Sequence, residues 1–187
     1  LVGLTSQSRL NEGSLLTVKA GRTKDRSVSE SNFPSSLETV QDQFRLALTR
    51  AVAEATELQL SYERLNQDVE TQSYAPGTAQ ERKTDSFGIS ITGRENNHIV
   101  QVSLRRDKSN QYGEQNNGTF SYGYMISPAF RLGGAYATGF RAPSFNDFYF
   151  PGYGRPEVKP ERSRNFELGA YWDERSKQNP AGWQGKA

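Results

Sequence analysis

Hydrophobic and polar residues alternate with a period of two along most of this chain. Phe44, Leu46 and Leu48 are interleaved with Gln43, Arg45 and Thr49. Leu58, Leu60 and Tyr62 are interleaved with Glu57, Gln59, Ser61 and Glu63, and Phe87, Ile89 and Ile91 with Ser86, Ser90 and Thr92. Val100, Val102 and Leu104 then alternate with Gln101, Ser103 and Arg105, and Phe120, Tyr122 and Tyr124 with Ser121 and Gly123. In a strand, successive side chains point to opposite faces, so each of these segments predicts a strand with one apolar and one polar face. Weaker alternation predicts strands over residues 14–26, 130–140 and 164–173, and a further strand over residues 3–10 opens the chain. About nine strands result, most of them as long as the ~9–11 residues a tilted strand needs to cross a bilayer.

The connections sort by length. Short turns are predicted at residues 11–13, 51–55, 95–97, 127–129 and 176–180, and long polar connections at 28–37, 71–82, 108–117 and 142–163. Their strict alternation predicts an antiparallel up-and-down meander with tight turns at one end and long loops at the other, the layout of a transmembrane β-barrel. A soluble β-sandwich is the alternative fold for the same strands, although it has no reason to sort its loops this way. No motif recurs at a period of 20–50 residues, which argues against a solenoid or propeller.

Composition narrows the class. Of 187 residues only 34% are hydrophobic, while aromatics reach 11% and there are 17 glycines. The mean hydropathy is −0.80. Such a chain is too polar for an ordinary core and too aromatic for disorder, and it suits strands with one greasy face. It contains no run of 18 apolar residues and no signal-peptide pattern, so a mature piece or an internal fragment is expected. The absence of cysteine removes disulfides and thiol chemistry, and the single His98 argues against histidine-based metal chemistry. The 23 basic and 21 acidic residues give a formal charge of +2 spread along the chain, which makes no case for nucleic acid.

Residues 141–163, RAPSFNDFYFPGYGRPEVKPERS, contain four prolines, two glycines and five Phe or Tyr residues. Proline removes a backbone donor and clashes with the preceding turn, so this segment is expected to be neither helix nor central strand but a long ordered loop. Its carboxylates Asp147, Glu157 and Glu161 are balanced by Arg155, Lys159 and Arg162, and they read as ion pairs and turn caps. No histidine, metal set or nucleophile accompanies them to make an acid–base site. Gly152 and Gly154 lack the strand–loop–helix context of a phosphate cradle. The aromatics Phe145, Phe148, Tyr149, Phe150 and Tyr153 have two readings: an apolar wall that grips a large planar ligand, or packing that holds the loop in place. Tyr122, Tyr124, Tyr136 and Trp172, near strand ends, are expected at the headgroup level of a bilayer.

With its flanks, YATGFRAPSFNDFYFPGYGRPEVKPERSRNFELGAYW, the loop resembles the C-terminal half of TonB-dependent outer-membrane receptors, most of all the cobalamin (vitamin B12) receptor group. Ala142-Pro143 ending an ascending strand, then Asn146 and Tyr149, then Lys159-Pro160-Glu161 before a strand with Asn165, Glu167 and Gly169, all resemble the family pattern. Arg155-Pro156 and Val158 stand where the family commonly has Asn-Pro and Leu. The resemblance implies an all-β fold in which residues 1–187 form part of a 22-stranded barrel, with no counterpart here of the N-terminal plug. It implies a bacterial outer-membrane transporter and no enzyme: cobalamin, or in the runner-up reading a ferric siderophore, is taken up with energy delivered by TonB through the plug. The implied partners are therefore TonB, the lipid bilayer and the ligand, without nucleic acid. No cofactor is implied for the chain, and calcium is left open for the complete receptor. Ligand contacts are expected among Phe145, Asn146, Phe148, Tyr149, Phe150, Tyr153 and Arg155. Outside the family, a soluble β-rich binding module and a passive porin are the rivals.

Overall fold

The computed structural model describes residues 1–30, 35–71, 74, 81–173 and 184–186. Ten strands form one sheet in strict sequence order, every neighbour antiparallel. They are β1 (Val2–Asn11), β2 (Ser14–Ser29), β3 (Ser35–Ala53), β4 (Thr56–Thr71), β5 (Glu81–Glu95), β6 (His98–Ser109), β7 (Gly113–Ser127), β8 (Phe130–Arg141), β9 (Glu161–Asp173) and β10 (Gln184–Lys186). All nine expected strands are present. The tenth, only three residues long, pairs with Tyr171–Asp173 inside a tail in which no strand is evident from sequence. The turn expected at 176–180 lies outside the described residues.

The register puts the apolar positions on one face across the whole sheet. Leu16 pairs with Leu48, Leu48 with Leu60, Leu60 with Ile89, Ile89 with Leu104, Val102 with Phe120, Phe120 with Tyr136 and Tyr136 with Phe166. A slip of one residue in any pair would turn a whole strand inside out, so this agreement over eight consecutive strands is what the alternating sequence encodes. The burial is inverted relative to a soluble domain. Phe87, Leu104, Phe120, Phe166 and Leu168 on the apolar face are exposed, Leu168 at 75%, whereas Thr84, Ser86, Asp107, Ser109 and Gln115 on the polar face are buried, Asp107 at 3%. A soluble sandwich would hide the first set, and no second sheet covers it among the described residues. Tyr122, Tyr124, Tyr136 and Trp172 all sit partly exposed on this apolar face, as expected of interfacial residues.

The polar face is cross-linked. Arg105 reaches Asp107 at 2.9 Å and Glu63 at 3.0 Å and donates to the Ser86 hydroxyl at 2.9 Å. Gln43 also donates to Glu63, and Gln59 to Thr49. Gln43, Gln59 and Arg105 thus lie on the face expected of them.

The connections between strands depart from expectation at 28–37, where β2 and β3 pair as far as Ser29 with Ser35, and again between β6 and β7. Residues 108–117 were expected as a long loop, but β6 and β7 pair up to Ser109 and Gly113 and leave a turn of Asn110, Gln111 and Tyr112. Asn, Gln and Gly suppress the alternating signal without preventing backbone pairing, because ladder hydrogen bonds need no apolar side chain. At the other end, a two-residue turn is possible between β5 and β6 because Asn96 takes φ 51°, a left-handed conformation that asparagine tolerates.

Candidate functional site

The connection between β8 and β9 is ordered, and it contains a helix where none was expected. Helix α1 (Phe145–Tyr149) fits because the prolines at 143, 151, 156 and 160 all fall outside it. Ser144 is its N-cap: the Ser144 hydroxyl accepts from the Asp147 amide at 3.1 Å, and the Asp147 carboxylate accepts from the Ser144 amide at 2.7 Å. This reciprocal pair satisfies donors that a helix start leaves open. Hydrogen bonding to the Ser144 backbone first, and to its side chain second, holds the Asp147 carboxyl below the usual carboxylate range.

Beyond α1 the chain folds back on itself. The Gly154 amide donates to the Phe150 carbonyl, and the Arg155 amide to the Asp147 carbonyl at 2.8 Å. Two glycines make this turn feasible. Gly152 has φ 81°, and a Cβ on Gly154 would stand 2.7 Å from the Phe148 oxygen and from the Tyr149 and Phe150 nitrogens.

Helix α1 turns Phe145 and Phe148 down onto the polar face of the sheet, and both are buried, at 8% and 4% exposure. Phe145 clusters with Val69 at the end of β4 and Tyr74 in the β4–β5 connection, against which the half-buried Leu37 and Tyr149 pack, and the Phe148 ring centroid is 5.6 Å from that of Tyr149. Arg82 of β5 lies beneath them at 6% exposure, 4.7 Å from the Phe145 ring centroid, and donates to the Pro143 carbonyl at 2.6 Å. Tyr74 donates its hydroxyl to the Asn146 side-chain carbonyl at 2.6 Å, and its ring centroid is 5.9 Å from that of Tyr149. Burial pushes the Tyr74 hydroxyl above its usual range.

The seven residues proposed from sequence therefore divide. Phe145, Phe148, Tyr149 and the amide oxygen of Asn146 are engaged in holding the loop down. Phe150, Tyr153 and Arg155 point outward, with Tyr153 at 83% exposure and its ring 6.2 Å from that of Phe150. Beside them a cavity of about 240 Å³ is lined by Arg141, Asp147, Tyr153, Arg155, Lys159 and Glu161, a set of both charges. A larger furrow of about 800 Å³ lies elsewhere, among Leu46, Leu60, Phe87, Ile89 and Leu104, and its exposed apolar walls suit acyl chains rather than a nutrient. Among the described residues no three His, Cys, Asp or Glu side chains converge as a metal site requires.

Sequence reasoning missed Tyr74, Arg82 and Gln111. The period of two does place Arg82 on one face with Thr84 and Ser86, but nothing local says that a loop sixty residues away will cover it.

The comparisons agree with this architecture. The family model for TonB dependent receptor-like β-barrels matches residues 4–181. The vitamin B12 transporter BtuB of Photobacterium profundum is 39% identical over 90 residues, which are 47% of this chain and 15% of that protein. Among solved structures, the siderophore receptor PirA of Acinetobacter baumannii superposes with a TM-score of 0.73 at 16% identity, over 92% of this chain and 32% of its own. The ferric enterobactin receptor PfeA of Pseudomonas aeruginosa, as a mutant bound to enterobactin, gives 0.71 at 16% identity, over 92% and 32%. The chain thus spans a sixth or less of the first curated relative and about a third of the solved receptors, whose likeness carries the fold alone.

Proposed function

Because the chain belongs to the TonB-dependent receptor β-barrel family, and so forms part of a barrel wall in a Gram-negative outer membrane, we propose that its parent takes up cobalamin by active transport. One observation carries the choice of ligand: over 90 residues the chain is 39% identical to a vitamin B12 transporter. The loop supports it, since residues 142–163 hold three acids against three bases. A mouth without net charge favours a neutral corrinoid over an anionic ferric siderophore, which would gain from a basic one.

In this reading the apolar face contacts lipid and the polar face lines the lumen. The β8–β9 loop lies at the extracellular mouth, where Phe150, Tyr153 and Arg155 offer two rings and a donor to the ligand. A plug elsewhere in the parent contacts TonB and releases the ligand inward when pulled. No bond is made or broken, so the parent is a transporter and not an enzyme. No step runs through calcium.

The test is equilibrium binding to the purified complete receptor in calcium-containing buffer, with cyanocobalamin set against a panel of ferric siderophores. Micromolar or tighter binding of cyanocobalamin is expected. Binding of a siderophore with none of the corrinoid would transfer the function to iron uptake and leave the barrel untouched.

A further inference from the structure

The β8–β9 loop is weakly stitched to the strand beside it. Pairing between β7 and β8 stops at Thr119 with Ala137 on the side of the long loops. On either side of that seam the ladders run on, β6–β7 to Ser109 with Gly113 and β8–β9 to Arg141 with Glu161. The upper ends of β7 and β8 enclose a cavity of about 480 Å³ lined by Gln115, Asn117, Thr138, Phe140 and Arg162. Across it run two hydrogen bonds between the Thr138 hydroxyl and the Gly118 backbone, one from Arg162 to Gln115, and a ring contact of Tyr112 with Phe140.

The stronger attachment comes from the far side of the seam. Arg82 donates to the Pro143 carbonyl at the root of the loop and through Nε to Gln111 at 2.8 Å, and its Cζ stands over the rings of Phe145, Tyr112 and Phe148, 4.7, 5.6 and 6.0 Å from their centroids. Gln111 in turn donates to the Tyr149 hydroxyl. Among the described residues no carboxylate stands within ion-pair distance of Arg82; its charge is met by one carbonyl, one amide and three rings, with the Asp147 carboxylate acting on it from farther away. A buried cation is costly unless such partners stay in place, and a guanidinium alone among the cations combines flat stacking with several fixed donors. Tyr74 adds the bond to Asn146 from a second connection.

We propose that Arg82 and Tyr74 are positioning residues that latch the β8–β9 loop across the mouth to β5 and to the β4–β5 connection. The loop's pose is then set by residues about 60 to 70 positions away in sequence rather than by the neighbouring strand. Its bearing on uptake rests on the cobalamin reading above; the latch itself does not.

The experiment uses the complete receptor in lipid, with spin labels at Glu70→Cys and Glu157→Cys, both exposed positions. A single narrow distance is expected in the parent. Arg82→Met, which keeps length but no donors, and Arg82→Lys, which keeps the charge but not the fork, both broaden it. Chymotrypsin cleavage after Tyr153, which is 83% exposed, accelerates about tenfold, as the loss of charge-assisted bonds predicts. Tyr74→Phe broadens the distance through the loss of one bond, and it carries the test if the Arg82 variants fail to fold. Arg26→Met, on the opposite face, changes neither readout. A distance that stays narrow in Arg82→Met, or a full rescue by Arg82→Lys, overturns the latch. Binding of cyanocobalamin should weaken about tenfold in Arg82→Met. A broadened distance with unchanged cyanocobalamin binding supports the latch and counts against the cobalamin mouth instead.

Discussion

Replacing Leu60 by arginine tests the assignment of faces with a magnitude that the geometry supplies. Leu60 is 46% exposed and stands in register between Leu48 of β3 and Ile89 of β5, the middle of an apolar row. It lies four residues above Thr56, where β4 begins. At about 3.4 Å per residue that is about 14 Å along the strand. With a tilt of about 40° the height is about 10 Å, close to the centre of an apolar band about 25 Å tall. An arginine at the lipid midplane costs ~2–4 kcal/mol, a factor of about 30 to 700 in the folding equilibrium. The neighbouring Gln59 points to the other face and donates to Thr49. Gln59→Arg therefore loses one hydrogen bond, worth about 1 kcal/mol, and keeps its new charge in water. The assay is reversible urea unfolding of the complete receptor in phosphatidylcholine vesicles. Leu60→Arg should shift the midpoint at least twice as far as Gln59→Arg, with the slope unchanged. Equal shifts, or a larger one for Gln59→Arg, would refute the assignment of lipid and lumen faces.

The loop yields four further expectations. Gly154→Ala drives a Cβ to 2.7 Å from three backbone atoms, which are not free to yield, so residues 145–155 should lose about 1–3 kcal/mol of protection in amide exchange; unchanged exchange would show that the close approach is not there. Ser144→Ala removes the cap and should cost α1 about 1 kcal/mol by the same measurement, with the barrel unaffected. Because the Asp147 pKa is depressed in the folded loop, its contribution is present above the ordinary carboxylate range and is lost as pH falls through the lower folded value. Protection of α1 should therefore be level from pH 7 to about 5 and decline below about 4, and it should do so less in Ser144→Ala. Finally, Phe150→Ala with Tyr153→Ala should weaken cyanocobalamin binding without altering exchange in α1, since both rings point outward, whereas Phe148→Ala should raise exchange as well. Binding unaffected by the first pair would remove those rings from the ligand site.

What this sequence determines by itself is the sheet. A period of two is a local property, and once Leu46, Leu60, Ile89, Val102 and Phe120 are assigned to one face, antiparallel hairpins can bring them together in a single register. Strand order followed as well, because short turns fix every second hairpin and the shared apolar face lets the long connections join those hairpins in sequence order. The upper reaches of β6 and β7 were illegible for the opposite reason: Asn116, Asn117 and Gly118 pair through their backbones and carry no contrast between faces. Within the β8–β9 loop, the prolines signalled an ordered break, while the Ser144–Asp147 cap and five helical residues between Pro143 and Pro151 were hidden by that same signal. Tertiary structure alone decided which aromatics are spent on packing and which are left exposed. Phe145 and Phe150 are equivalent in composition, and their fates diverge because Arg82, Tyr74 and Val69 arrive from strands and a connection far away in sequence. Contacts of that kind depend on where the sheet places distant residues, and no local pattern encodes them.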